Sequence, residues 1–218
     1  MKVDIYFDIV CPWCYIGERR FMKALEMAGE TALELTFRPF QLDPGAAPET
    51  RSLGTYLTTR FGAMAEPMQR RVSQYAEAEG IRIEWERALI ANTERAHRLV
   101  RLATLEYDAG VQRALVEALF RFHFTEGGDL GDVEQLANVA QSAGMDRARA
   151  LAWLTSTAGE RDVRAALQDA RSIGVQSVPT FVFDDQFGIE GAQSPETFVA
   201  ALAEVRERTA AGAAGREA

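Results

Sequence analysis

Two hydrophobic periods alternate along this chain. Val3 to Val10 is a β-branched and aromatic run, Val-Asp-Ile-Tyr-Phe-Asp-Ile-Val, of the length of a buried strand. From Tyr15 to Ala28 the spacing changes, and Ile16, Phe21, Leu25 and Ala28 recur at helical intervals. Leu33 to Leu42 predicts a second strand, in which Pro39 implies an edge or a bend. Helical patterns follow from about 44 to 158. Ser52–Arg60 and Met64–Glu79 are expected helices, the second stopped by Gly80. Asn92 suits the cap of a helix over Thr93–Tyr107. Val111–Phe124 is the next, ended by Gly127 and Gly128. Asp132 and Asp146 can cap helices over Val133–Ser142 and Arg147–Thr155. Residues 81–91 are ambiguous.

A mixed pattern returns after residue 158. Glu160–Ile173 carries Val163, Leu167, Ala170 and Ile173 toward a core, and Gly174 fits its C-terminal cap. Val178 and Pro179 open an apolar strand that continues through Phe183. Asp184-Asp185-Gln186 reads as a turn, Phe187-Gly188-Ile189 as a returning strand, and Ser194–Arg208 as a helix. The order is strand, helix, strand, a long helical block, then strand, strand, helix: an α/β chain.

Composition narrows the function classes. At 218 residues the chain has room for a core and an insertion. A hydrophobic content of 47% is that of an ordinary globule. The net charge of −8 speaks against nucleic acid as a partner. No apolar run approaches a membrane span, so no membrane association is expected. The strand begins almost at Met1, with no signal-peptide pattern ahead of it. We therefore expect a cytoplasmic protein, in a reducing compartment where a lone cysteine pair is more often catalytic than structural.

That pair is Cys11-Pro12-Trp13-Cys14, at the junction of the first strand and the first helix. Pro12 suits the first helical position, where no amide donor is needed. Cysteines three apart on a helix start are within disulfide reach. Free amides and the helix dipole favour an anion at Cys11, which makes it the expected, more exposed nucleophile. Cys14, one turn deeper, is the expected resolving thiol. Inert core cysteines would not call for Pro-Trp at a helix start. A zinc site needs about four ligands, and His97 and His123 lie far away in sequence. A redox dithiol requires no metal and no organic cofactor.

The stretch Phe7-Asp8-Ile9-Val10-Cys11-Pro12-Trp13-Cys14-Tyr15-Ile16-Gly17 resembles the DsbA family of the thioredoxin superfamily. So do Pro39-Phe40-Gln41-Leu42, Asn92 with Ala96-His97-Arg98-Leu99, Val178-Pro179-Thr180-Phe181 and Gly191-Ala192-Gln193. Within that family the FrnE-like branch is the most similar. The resemblance implies a thioredoxin fold with a large all-helical insertion: residues 1–43 and 159–218 form the discontinuous thioredoxin-like domain, and 44–158 the insertion. It also implies a cis Val178–Pro179 bond beside the dithiol, in a groove walled by Trp13, Val178, Pro179 and part of the insertion. The implied activity is thiol–disulfide exchange on disulfide-bearing proteins or small thiols. The same branch is similar to kappa-class glutathione transferases and hydroxychromene carboxylate isomerases. Glutathione is therefore the candidate co-substrate, along the Val178 strand with Gln193 at its γ-glutamyl end. A non-enzymatic peptide-binding chaperone is the third reading.

Among the other residues, Asp8 is expected either to cap the loop or helix, or to handle protons for Cys14. His97 is expected to be a packed or capping residue, and His123 a structural one. Trp85 and Trp153 are expected in the core.

Overall fold

The computed structural model describes residues 1–30, 33–46 and 52–214, with side chains described as far as 209. Part of the loop 45–50 and the last residues of the Ala/Gly-rich tail lie outside these. The chain order is β1 (Lys2–Phe7), α1 (Pro12–Met27), β2 (Glu34–Pro39), α2 (Leu53–Phe61) and α3 (Ala65–Ala78). Then come α4 (Glu94–Glu106), α5 (Ala109–Arg121), α6 (Val133–Ser142), α7 (Arg147–Thr155) and α8 (Glu160–Ser172). The chain closes with β3 (Thr180–Phe183), β4 (Phe187–Glu190) and α9 (Pro195–Ala214). A π turn, Phe122–Glu126, extends α5. This is a thioredoxin fold with a helical insertion.

The strands form one sheet in the order β2-β1-β3-β4. β1 runs parallel to β2 and antiparallel to β3, and β4 returns along β3. Pro39 closes β2, an edge strand, where a missing amide costs little. The first strand is shorter than its apolar run. It ends at Phe7 because Asp8 turns the chain, its carbonyl accepting from the Cys11 amide at 3.1 Å. Positive φ at Asp184 and Asp185 makes the tight β3–β4 turn.

On one face of the sheet α1 and α9 bring Phe21 and Phe198 against Phe181, with ring centroids 5.1 and 4.7 Å from it. Elsewhere Ala170 of α8 and Val175 pack with Tyr6. The buried apolar residues of the insertion and of the sheet belong to one contiguous cluster, in which Phe7 meets Phe120 of α5.

Local chemistry sets most helix starts as expected. Asp132 accepts from the Glu134 and Gln135 amides, and Asp146 from Arg149. Asn92 acts from one residue further out than expected: Thr93 holds the cap position, while Asn92 Oδ1 accepts from the Glu94 amide at 2.9 Å. Residues 81–91 form neither helix nor strand beyond a bridge from Leu89 to Ser52. Trp153 is buried as expected, but Trp85 is only half-buried, because its indole turns outward to Ser73 Oγ at 2.9 Å.

Candidate active site

Cys11 occupies the N-cap of α1 and Cys14 its first turn, so the Cys11 carbonyl accepts from the Cys14 amide at 3.0 Å. Both cysteines are free thiols. Cys14 is 1% exposed, and Cys11 only 4%. The expectation of an exposed Cys11 is thus corrected. The strand that enters the sheet at Thr180 lies over it, and its thiol donates to the Val178 carbonyl at 3.6 Å. The Cys14 thiol is pushed well above the ordinary range, first by burial and then by its hydrogen bond to Cys11. The charges of Cys11 and Asp8 add to this, while a hydrogen bond from the Asp8 backbone opposes it. At neutral pH Cys14 therefore holds its proton.

The Val178–Pro179 bond is cis. Pro179 is buried and Val178 half-buried. The Pro179 carbonyl accepts from Gly191 at 2.8 Å, which ties the strand entry to the end of β4. Trp13 lies against Tyr75 of α3, with centroids 5.4 Å apart. Arg20 stands 5.4 Å over the Tyr75 ring and reaches Glu79 at 2.6 Å and the Ala192 carbonyl at 2.9 Å. One arginine thus joins α1, α3 and the turn after β4. Gln193 is exposed in that turn, and its amide donates to the Glu190 carbonyl at 2.8 Å.

Asp8 is completely buried. It does not cap α1, whose first turn has no side-chain cap. Instead Oδ2 accepts from the Leu42 amide at 2.8 Å, holding the segment after β2, and Oδ1 lies 3.3 Å from His97 Nε2. That nitrogen also lies 2.9 Å from the Phe40 carbonyl. His97, expected as a packing or capping residue, thus comes from α4 to the Asp8 carboxylate. A separation of 89 positions along the chain leaves no local pattern that pairs the two.

Two further titratable groups are buried. Burial pushes His123 down to about 4, against the pull of the Asp8 charge. Neither of its ring nitrogens has a hydrogen-bond partner among the described residues. Burial and the neighbouring Glu117 push Glu18 of α1 up to about 8, with Arg19 and Arg113 opposing. Glu117 of α5 also accepts from Tyr15 at 2.9 Å and pairs with Arg19. Among the described residues no group of three or more His, Cys, Asp and Glu side chains is arranged to hold a metal ion. No described helix is long and apolar enough to cross a membrane.

A thioredoxin sheet, a Cys-X-X-Cys pair at a helix start and a cis-proline strand entry define a thiol oxidoreductase fold. The chain belongs to the DSBA-like thioredoxin domain family, whose model matches residues 2–203. It is similar to a probable DsbA oxidoreductase from Streptomyces coelicolor, at 34% identity over 95% of this chain and 90% of that one, with a TM-score of 0.86. In fold it is also similar to a 2-hydroxychromene-2-carboxylate isomerase, at 19% identity over 96% and 98% of the chains and a TM-score of 0.71. A third relative in fold is the cytosolic disulfide reductase DsbM from Pseudomonas aeruginosa, solved with GSH, at 19% identity over 95% and 100% and a TM-score of 0.67.

Proposed function

We propose that this chain is a cytoplasmic thiol–disulfide oxidoreductase acting on disulfide-bearing proteins or small thiol compounds through Cys11 and Cys14. The observation that carries the reading is the paired placement of the two sulfurs. Cys11 is at the helix N-terminus under the Val178 carbonyl, and a buried, proton-bearing Cys14 lies in the first turn of the same helix. The Cys11 thiolate attacks one sulfur of a substrate disulfide, and the other sulfur leaves with the electron pair and takes a proton from water. Cys14 then gives its proton to a base and attacks Cys11. The Cys11–substrate bond breaks, the second substrate thiol departs, and the enzyme holds a Cys11–Cys14 disulfide. Two electrons have passed from enzyme to substrate. Asp8 is the proposed base, since it is the carboxylate whose charge Cys14 feels.

Glutathione is the proposed thiol that returns the electrons. An extended thiol peptide would add to the strand entry at Val178, where main-chain groups and the Cys11 sulfur lie side by side. Trp13, Pro12 and Pro179 shape this approach, and Gln193 is the proposed contact for the γ-glutamyl end.

Insulin reduction with glutathione as electron donor tests the reading. Cys14→Ser should accumulate mixed disulfides at Cys11, and Cys11→Ser should accumulate few. Conjugation of glutathione to a chlorinated aromatic by an enzyme that does not reduce insulin would instead make it a glutathione transferase. The reduction potential, within the roughly −270 to −120 mV spanned by such proteins, sets the direction of electron flow.

A further inference from the structure

We infer that His97 is a positioning residue for the proton step, a donor from the helical insertion that orients Asp8 as the base serving Cys14. The inference rests on the dithiol reading above and adds to it a part for the insertion.

Geometry fixes the state of the ring. The Phe40 carbonyl only accepts, so the His97 nitrogen 2.9 Å away must carry a proton. The same Nε2–H points to Asp8 Oδ1 at 3.3 Å. With Leu42 donating to Oδ2, each carboxylate oxygen faces one donor, and the side chain cannot rotate without losing both. Phe7 closes the ring's flank, with centroids 5.2 Å apart. His97 Nδ1 is buried with no partner among the described residues. His97 is therefore a donor through Nε2.

The insertion is itself pinned to the segment that carries these contacts. Gln41 Nε2 lies 3.4 Å from both Asn92 Oδ1 and Thr93 Oγ1, at the start of α4. The charged and titratable groups around the pair come from every neighbouring element. Cys14 of α1 and His123 of the π turn both feel the Asp8 charge. On the far side His97 lines a cleft of about 270 Å³ with Arg38 of β2, Arg101 of α4, and Asp162 and Asp169 of α8.

The test isolates the second step. Cys11 is loaded with a mixed disulfide, and its resolution by Cys14 is timed from pH 5 to 10. His97→Gln keeps a donor near the Nε2 position, and His97→Phe keeps the ring shape without one. Losing one hydrogen bond should slow resolution about fivefold in His97→Phe. The pH profile of resolution should change in the same variant, because the lost donor is one that faces the Asp8 carboxylate. His97→Gln should stay close to wild type. A His97→Phe profile that superimposes on wild type, or a His97→Gln profile matching that of His97→Phe, overturns the inference. Should His97→Phe not fold, imidazole nitrogen NMR of the wild type decides. An Nδ1–H tautomer, or His97 resonances indifferent to dithiol oxidation, overturns it. If no mixed disulfide forms at Cys11, the dithiol reading fails instead.

Discussion

A Cβ placed on Gly17 would lie 2.9 Å from Pro179 Cγ and 3.4 Å from the Ala192 Cα. The helix that carries the cysteines and the strand entry that covers them are thus in contact, with no room for a methyl group. Gly17→Ala gains about 1 kcal/mol in helix propensity but overpacks the site by about 1–3 kcal/mol. The variant should melt lower than wild type. Its exchange should slow more than its stability falls, because the displaced atoms belong to the Val178–Pro179 entry. Thermal melting beside insulin reduction checks both, and unchanged exchange would show that the contact does not serve the site.

Glu18 gives the fold an alkaline weakness. Its ordinary value is 4.5 and its folded value about 8, raised first by burial. Between these values the folded chain keeps a proton that the unfolded chain has released, so stability falls as pH rises through the window. The slope is at most about 1.4 kcal/mol per pH unit. Glu18→Gln should flatten the melting temperature between pH 5 and 8 and raise it at pH 8. A variant that tracks wild type across that range would remove Glu18 as the cause.

His123 acts in the opposite direction. Its folded value of about 4 lies below the ordinary 6.5. Between pH 4 and 6.5 the unfolded chain binds a proton that the folded chain refuses, so this contribution to stability is lost as pH falls through the window. His123→Phe removes two buried nitrogens and keeps a ring against Phe124, now at 4.6 Å. It should melt higher than wild type at pH 5 and show a flatter acid limb. A lower melting temperature at pH 5 would mean that the ring nitrogens are satisfied.

Tyr75 supplies the insertion's aromatic contact with Trp13. Tyr75→Ala should cost about 0.5–1.5 kcal/mol for the ring pair and free the Trp13 side chain. The expected readout is a red-shifted tryptophan emission and a weaker KM for protein substrates, with the dithiol reduction potential unchanged. A changed potential would mean that Tyr75 acts on the sulfurs rather than on the groove.

The features legible in the sequence were those whose cause is local. Strand β3 announced itself by Thr-Phe-Val-Phe, α6 and α7 by Asp132 and Asp146, and the dithiol by its place between two hydrophobic periods. Features made by chain closure were not legible. The cover over Cys11 comes from Val178, so a helix N-terminus that reads as exposed is buried. The pairing of Asp8 with His97 depends on where α4 lands, which no local period encodes. Trp85 has a core residue's composition, yet its indole nitrogen found Ser73 nearer the surface.

The sheet register also bears on how the protein is made. β1 pairs with β3, Val3 beside Phe183 and Ile5 beside Phe181, so the first strand waits for nearly the last. Cys11 leaves the ribosome 167 residues ahead of the carbonyl that will cover it. At ~5–20 residues per second this is about 8–33 s during which a nascent chain displays an uncovered dithiol. Chains arrested before residue 178 should alkylate at Cys11 and Cys14 at similar rates, and completed chains should protect Cys14. Each newly made molecule would thus meet the cell's thiols and oxidants before its own site has closed.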